Sequence, residues 1–486
     1  MKLFATLAAV LLFAGSVLAL QPIEISEDGC LAAVPEQTPG PGIVTVRGVG
    51  VPYGSTPDWQ NSLRVQVGGL AVADLNRDGW VDLVVGCYHS QSYPPYPDWE
   101  NLIYYNIGGQ LEAQPSWISA DEVSTTDVAI ADINGDGYLD IFAANGDYDM
   151  APCVIYWGSP SGPSNVPGWY SQVPNRAWTL AAVPFDWDHD GDIDVLTANQ
   201  GNSPQDPFRP IYGFINNNGV LSPVPGWQTS ELSIQNGIAF ADYDGDGWED
   251  FAVSKWTNGF PSAVYRNVGG ILQTVPAWTT GVSATDKCVA WADVDRNGWP
   301  DLALGHSPTW LFANYGGVLT RVWQSAASYF GHQDLKFCDV NRDGWPDLAE
   351  IHFSDGKTHI YLNRNGTLDS VPTWTYDSPA VGTALAFADI NGDRWPDLIC
   401  GYSGQPSVVV FYARPPQYSL GDLNCDGQVN AFDIDPFVLA LTSTPPEYPE
   451  YYAQYPACNH QLADANGDGV LNAFDIDPFV DLLTGG

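Results

Sequence analysis

The stretch LAVADLNRDGWVDLVVG, Leu70–Gly86, sets two short apolar runs around a nine-residue phrase with Asp74, Asn76, Asp78 and Asp82 at positions 1, 3, 5 and 9. Runs of this length flanking an Asx- and Gly-rich turn read as a strand–turn–strand hairpin. The phrase returns at Asp132 (DINGDGYLD), Asp186 (DWDHDGDID), Asp242 (DYDGDGWED), Asp293 (DVDRNGWPD), Asp339 (DVNRDGWPD) and Asp389 (DINGDRWPD). The steps between copies are 58, 54, 56, 51, 46 and 50 residues.

Each copy keeps the same neighbours. A third apolar run follows, as in IYYNIGG, AVYRNVGG and HIYLNRNG, and then a Pro-x-Trp at Trp59, Trp117, Trp169, Trp227, Trp278 and Trp374; Trp323 lacks the Pro. Four strands per ~50 residues, seven times over, predict an all-β, seven-bladed propeller across residues 61–415. Trp59 precedes the first phrase, so the leader 20–60 is expected to supply the outer strand of the last blade and close the ring. A further strand is expected at 43–49.

Alternate oxygens in a tight turn suit Ca2+, which takes six to eight hard donors including a backbone carbonyl. One such turn is explained as an Asx turn without an ion; seven at blade spacing point to Ca2+. The expected ligands are Asp74, Asn76, Asp78, Trp80 and Asp82 in the first loop and Asp132, Asn134, Asp136, Tyr138 and Asp140 in the second. The third has Asp186, Asp188, Asp190, Asp192 and Asp194, the fourth Asp242, Asp244, Asp246, Trp248 and Asp250. The fifth has Asp293, Asp295, Asn297, Trp299 and Asp301, the sixth Asp339, Asn341, Asp343, Trp345 and Asp347, the seventh Asp389, Asn391, Asp393, Trp395 and Asp397. Position 7 offers its carbonyl. Arg394 stands where the seventh loop should have its turn glycine, which predicts a weakened site there.

These residues resemble FG-GAP/VCBS-type repeats, the seven-bladed propeller class of integrin α subunits and many secreted bacterial proteins. The resemblance implies calcium-stabilised hairpins and no particular activity, since propellers host many functions.

Residues 416–486 carry two further copies with another ending, DLNCDGQVNAFDIDPFV and DANGDGVLNAFDIDPFV. Here an Asp stands at position 12, the EF-hand-loop plan. The expected ligands are Asp422, Asn424, Asp426, Gln428, Asn430 and Asp433, then Asp464, Asn466, Asp468, Val470, Asn472 and Asp475, for up to nine Ca2+ sites in all. A helix should follow each loop, with Asp435 or Asp477 as N-cap and Pro436 or Pro478 next. The pair resembles a dockerin, which implies docking to a cohesin-like scaffold domain. Cys425 and Cys458 share this small module and are the expected disulfide.

The totals agree with an exported, folded chain. Of 486 residues, 45% are hydrophobic, with Gly 49, Pro 38 and Trp 19. Lys and Arg number 17 against 57 acids, a net charge of −40. That excludes phosphate neutralisation and so a nucleic-acid partner. Nine divalent ions would bring the charge to about −22. Residues 1–19, MKLFATLAAVLLFAGSVLA, read as a signal peptide, and no other segment could span a membrane.

Polar residues that vary among otherwise constant repeats suggest a ligand rim opposite the loops. The candidates are Lys255, Asp286, Lys287, His306, His332, Asp334, His352 and Tyr402, with His306, His332 and His352 as an acid/base or metal cluster of blades five and six. Lys336 and Glu350, three residues outside opposite ends of the sixth loop, are expected to pair. No nucleophile or metalloprotease motif occurs. The reading is a calcium-binding, non-catalytic propeller for a glycan or protein ligand. A polysaccharide lyase or hydrolase and a purely structural surface protein are the alternatives.

Overall fold

A computed structural model describes residues 50–88, 100–146, 151–173, 177–203, 206–256, 260–282, 285–326, 331–414, 419–425, 428–444, 448–452, 454–455, 458, 460–466 and 470–484. The expected signal peptide, the leader up to residue 49 with its expected strand, Asp426 and Asp468 lie outside them.

Among the described residues seven antiparallel sheets form, six of them with the strands of their main path in chain order. Six span 67–118, 125–170, 178–228, 235–279, 289–324 and 332–377, and the third carries an extra strand, Asp206–Phe208. The seventh joins Val381–Ala388, Asp397–Ser403 and Val408–Phe411 to the early strand Trp59–Gln60, with Trp59 opposite Val410. The expected ring closure is therefore present.

Packing follows from the sequence runs. The second strands, such as Asp82–Cys87 and Asp140–Asn145, are buried at every residue, because neighbouring blades cover both faces. Continuous apolar runs rather than alternation are the result. First strands face the axis and stay small where they converge. A Cβ on Gly68 would lie 2.1 Å from the Thr125 carbonyl oxygen, so only glycine fits. On the outside, the recurrent Trp meets an aromatic ring of the next blade edge-on. Trp117 packs on Tyr156 at 5.3 Å, Trp278 on Phe312 at 5.1 Å and Trp323 on Tyr361 at 5.6 Å. At the closing seam Trp59 packs on Tyr104 at 5.4 Å.

Among the described C-terminal residues two nine-residue helices, Ile434–Thr442 and Ile476–Thr484, are each entered through a 3-10 turn, with a short helix, Pro449–Tyr452, between them. Phe437 and Phe479, equivalent residues of the two copies, stack with centroids 4.0 Å apart. The Cys425–Cys458 disulfide is present. The capping differs from expectation. Asn430 and Asn472 cap, in reciprocal boxes with Asp433 and Asp475, while Asp435 and Asp477 lie inside the first helical turn. The 3-10 turn starts the helical path five residues earlier than the prolines suggest, and a first-turn proline needs no N–H partner. Among the described residues, no helix is long and apolar enough to cross a membrane.

Candidate functional site

The seven loops share one hydrogen-bond plan. In the first, Asp74 accepts from the backbone N–H of Asp78 (3.0 Å) and Gly79 (2.8 Å). Asn76 Oδ1 accepts from Asp78 N–H (2.9 Å), and Asp78 Oδ1 from Trp80 N–H (2.9 Å). Position 6 needs the left-handed region, at φ 89° for Gly79 and 94° for Gly191. Arg394 keeps that turn at φ 69°, a conformation unfavourable for a side-chain-bearing residue.

Position 9 ties the hairpin to its third strand. Asp82 Oδ2 accepts from Leu75 N–H (3.0 Å) and Oδ1 from Asn106 N–H (2.9 Å). Asp301 and Asp347 repeat both bonds. Burial pushes Asp82, Asp194, Asp250 and Asp301 up to about 7 and Asp397 up to about 8. Backbone N–H donors oppose the shift and neighbouring carboxylates add to it.

The donor chemistry fits a hard divalent cation. Carboxylate oxygens of Asp186, Asp188 and Asp190 lie within 4.8 Å of one another, as do those of Asp242, Asp244 and Asp246, and of Asp293, Asp295 and Asp301. Asp188 Oδ1, Asp244 Oδ1 and Asp250 Oδ2 are buried without a hydrogen-bond partner. Oxygens left so are costly unless a cation meets them. The fourth loop has an internal cation as well: Arg266 contacts Asp244 and lies 2.8 Å from Asp246 Oδ2.

Two rings of contacts that the sequence reading missed join the loops. Third-strand asparagines reach back to the preceding loop. Asn216 donates to Ile133 O at 2.6 Å, Asn267 to Trp187 O at 2.6 Å, Asn314 to Tyr243 O at 2.7 Å and Asn363 to Val294 O at 2.8 Å. The side chain at position 4 also meets the position-7 aromatic of the next loop. Arg77 lies 4.3 Å over Tyr138, Arg296 4.8 Å over Trp345, and His189 stacks on Trp248 at 4.5 Å. The signal was the Asn recurring in YNIGG, YRNVGG and LNRNG.

The rim candidates divide. Residues seven before position 1 and five after position 9 prove to be opposite one another across the hairpin, at the end remote from the loops. Thr125 pairs with Asn145, Thr179 with Asn199, Gln235 with Lys255 and His332 with His352. Thr125 Oγ1 donates to Asn145 Oδ1 at 2.8 Å, and Asp286 Oδ1 bonds His306 Nδ1 at 2.7 Å. The variation among blades is therefore matched pairing inside the wall rather than a ligand face. Lys255, Asp286, His332, His352 and Tyr402 are buried and His306 is half-buried. Lys255 bonds Glu231 Oε1 at 2.9 Å, and Tyr402 bonds the Thr358 hydroxyl at 2.8 Å.

Lys336 and Glu350 do not pair. The register sets Cys338 against Asp347, hence Leu335 against Glu350 and Lys336 against Ala349, so the two side chains leave opposite faces of the sheet. Lys336 points into the channel, 3.4 Å from Asp334 Oδ1. Glu350 is enclosed by His352 Nε2 (3.1 Å), His332 Nε2 (3.5 Å), the Tyr361 hydroxyl (2.7 Å) and the Thr309 hydroxyl. Burial lowers His332 to about 4. Burial pushes the Glu350 carboxyl up, but the histidines and Thr309 more than reverse this, to about 2.

At the end of the channel remote from the loops lies a cavity of about 560 Å3. Lys287 and Asp334 reach it, as do Asp127 and Asn236. Lys287 Nζ bonds Gln333 Oε1 at 3.0 Å and lies 4.8 Å over the Trp256 ring and 5.6 Å from that of Phe353. Both rings are 42% exposed. Tyr88 and Trp178 stack across another part of the wall. Deeper in, burial pushes Asp127 up to about 7, with Ala182 N–H and Lys336 opposing and Asp334 adding.

Comparison with known proteins agrees with this architecture. Residues 74–143, 186–253 and 339–400 match the FG-GAP-like repeat. Human integrin alpha-6 is 33% identical over 102 residues, 20% of this chain and 9% of that protein, so the chain spans about a tenth of that relative's length. A solved structure of BBS1N in complex with ARL6DN, soaked with mercury, superposes with a TM-score of 0.51 at 12% identity, covering 75% of this chain and 98% of that one. At that identity the likeness concerns the fold. The chain carries FG-GAP-like repeats on a seven-bladed propeller.

Proposed function

We propose that this protein is an exported, calcium-dependent, non-catalytic propeller that binds a glycan or protein ligand in the axial cavity and is tethered to a larger assembly by its C-terminal module. The observation that carries the ligand reading is the cavity. There the sevenfold repeat is interrupted by Trp256, Phe353 and Lys287, two exposed rings around one ammonium. Rings of this kind stack on sugar faces or peptide side chains, and the ammonium suits an anionic group. Calcium would be held by the loop oxygens and would cancel their repulsion, pinning seven hairpins of one rim. The residues 1–19 and the integrin-like repeats support export.

A cohesin-like partner suits the C-terminal module because apolar side chains are exposed there in duplicate. Phe432 and Phe474 are 78% and 79% exposed, followed by Ile434 and Ile476 and by Val438 and Val480. The lyase alternative, which would use His306, His332 or His352 with Lys287, is less favoured, since His332 and His352 are enclosed around Glu350 and half-buried His306 is bonded to Asp286, while Lys287 faces the cavity.

The test uses the mature chain with calcium on glycan arrays and candidate protein ligands, beside a reducing-end and unsaturated-product assay. Trp256→Ala and Lys287→Ala should each weaken binding by about tenfold or more with melting temperature unchanged. Binding indifferent to both variants, or product formation by the wild type, would overturn the reading.

A further inference from the structure

Three departures from the repeat fall in one hairpin and meet at one point. Where blades two and three carry the pairs Thr125–Asn145 and Thr179–Asn199, blade six carries His332 and His352. Three residues past position 9, where other blades have Val85, Ala143, Thr197, Val253, Leu304 and Cys400, blade six has Glu350. A buried carboxylate and two imidazoles are an expensive replacement for a Thr–Asn pair and an aliphatic residue.

We propose that His332, Glu350 and His352 form a binding site for a divalent first-row transition ion of the Zn2+ class, between blades five and six and independent of the oxygen-donor loops. Their donor atoms lie within 4.8 Å of one another. Glu350 is 3.5 Å from His332 Nε2 and 3.1 Å from His352 Nε2. Bonds of about 2.0–2.1 Å in a tetrahedron place neighbouring donors about 3.3–3.4 Å apart, close to both nitrogen–carboxylate separations, which run to Oε2 and Oε1 of Glu350 respectively. Blade five supplies a fourth donor: Thr309 Oγ1 is 2.9 Å from His332 Nε2 and bonded to Glu350. Behind His352, Asp355 Oδ1 is 3.6 Å from Nδ1, an acidic neighbour on the far side of the ring just beyond hydrogen-bond distance. Two imidazoles select Zn2+, Cu2+ or Ni2+ over Ca2+, so the site and the loops would sort their ions by donor type. All three residues are at most 2% exposed, which makes the site closed and structural, a clamp between adjacent blades.

The test is metal content and cobalt spectroscopy on the full chain in saturating calcium. One zinc per chain is expected, together with the intense visible absorption of four-coordinate Co2+. Glu350→Gln, which keeps the side chain's shape, and His352→Asn should each lower zinc affinity about tenfold or more and remove that absorption. Circular dichroism establishes that each variant folds. The wild type decides alone if neither does. No zinc uptake at micromolar free zinc, only the weak bands of oxygen-ligated six-coordinate Co2+, or a spectrum untouched by a folded variant overturns the proposal.

Discussion

The side-chain amide of Asn106 donates to the carbonyl of Ile390, 2.7 Å away across the seam where the last blade meets the first. The same amide donates to Val81 O at 3.1 Å, and its oxygen accepts from Gly109 N–H at 2.9 Å. Asn106→Ala leaves two buried carbonyls without these donors, at a cost of about 1–3 kcal/mol. The melting temperature should fall by several degrees, while Asn217→Ala, on the exposed turn of blade three, should leave it unchanged. Equal melting of both variants would show that the latch contributes nothing.

Arg394→Gly tests the seventh loop. Its left-handed φ costs arginine roughly 1 kcal/mol, and glycine's greater unfolded-state freedom offsets most of the relief. In chelator the variant should match the wild type within about 0.5 kcal/mol. In calcium it should bind an ion more tightly at Asp389, Asn391, Asp393 and Asp397, because a guanidinium has left the loop. Calcium titration by calorimetry reads this directly, and an unchanged isotherm would remove Arg394 as the cause of a weak site.

What the sequence displayed depended on whether the information was local. The phrase from Asp74 to Asp82 holds its turn, both flanking strands and its period, so the blade count and the role of Trp59 in closure were legible. The pairing of Lys336 was not, because a register one residue off exchanges the faces of a strand. The position-4 ring, such as Arg77 over Tyr138, joins residues of different repeats and appears only when neighbouring hairpins are placed side by side. Polar variation at Lys255 and His352 looked like a ligand surface because each residue was read without its cross-strand partner. The cavity needs all seven first strands, and no single repeat encodes it.

Asp127 should make stability depend on pH. Burial raises its folded value to about 7, and the charged groups facing it are Lys336, which opposes the shift, and Asp334, which adds to it. An acid raised above its unfolded value near 3.9 favours the fold fully at low pH and loses that contribution as pH rises toward 7. With calcium held saturating, Asp127→Asn should equal the wild type near pH 4 and exceed it at pH 8. The gain is about 1–2 kcal/mol, discounted because channel water screens the charge. Parallel stability curves for the two proteins would show that Asp127 does not titrate in this range.

Calcium withdrawal should separate the two parts of the chain. The C-terminal module has a small core around Leu423, Phe437, Tyr451 and Phe479, and it buries Asp422, Asp433 and Asp475 completely. A module this small would draw much of its folding free energy from a bound ion. All 19 tryptophans lie between Trp59 and Trp395, so their fluorescence follows the propeller alone, while the helical far-ultraviolet dichroism follows the module, where all the described helices lie. On titration with chelator the helical signal should collapse first, at calcium concentrations where the tryptophans still report a native ring. The tryptophan transition should then move down by many degrees as the loops empty. If both signals melt at the same temperature with and without calcium, the oxygen-rich turns are held by their own backbone hydrogen bonds and bind no ion.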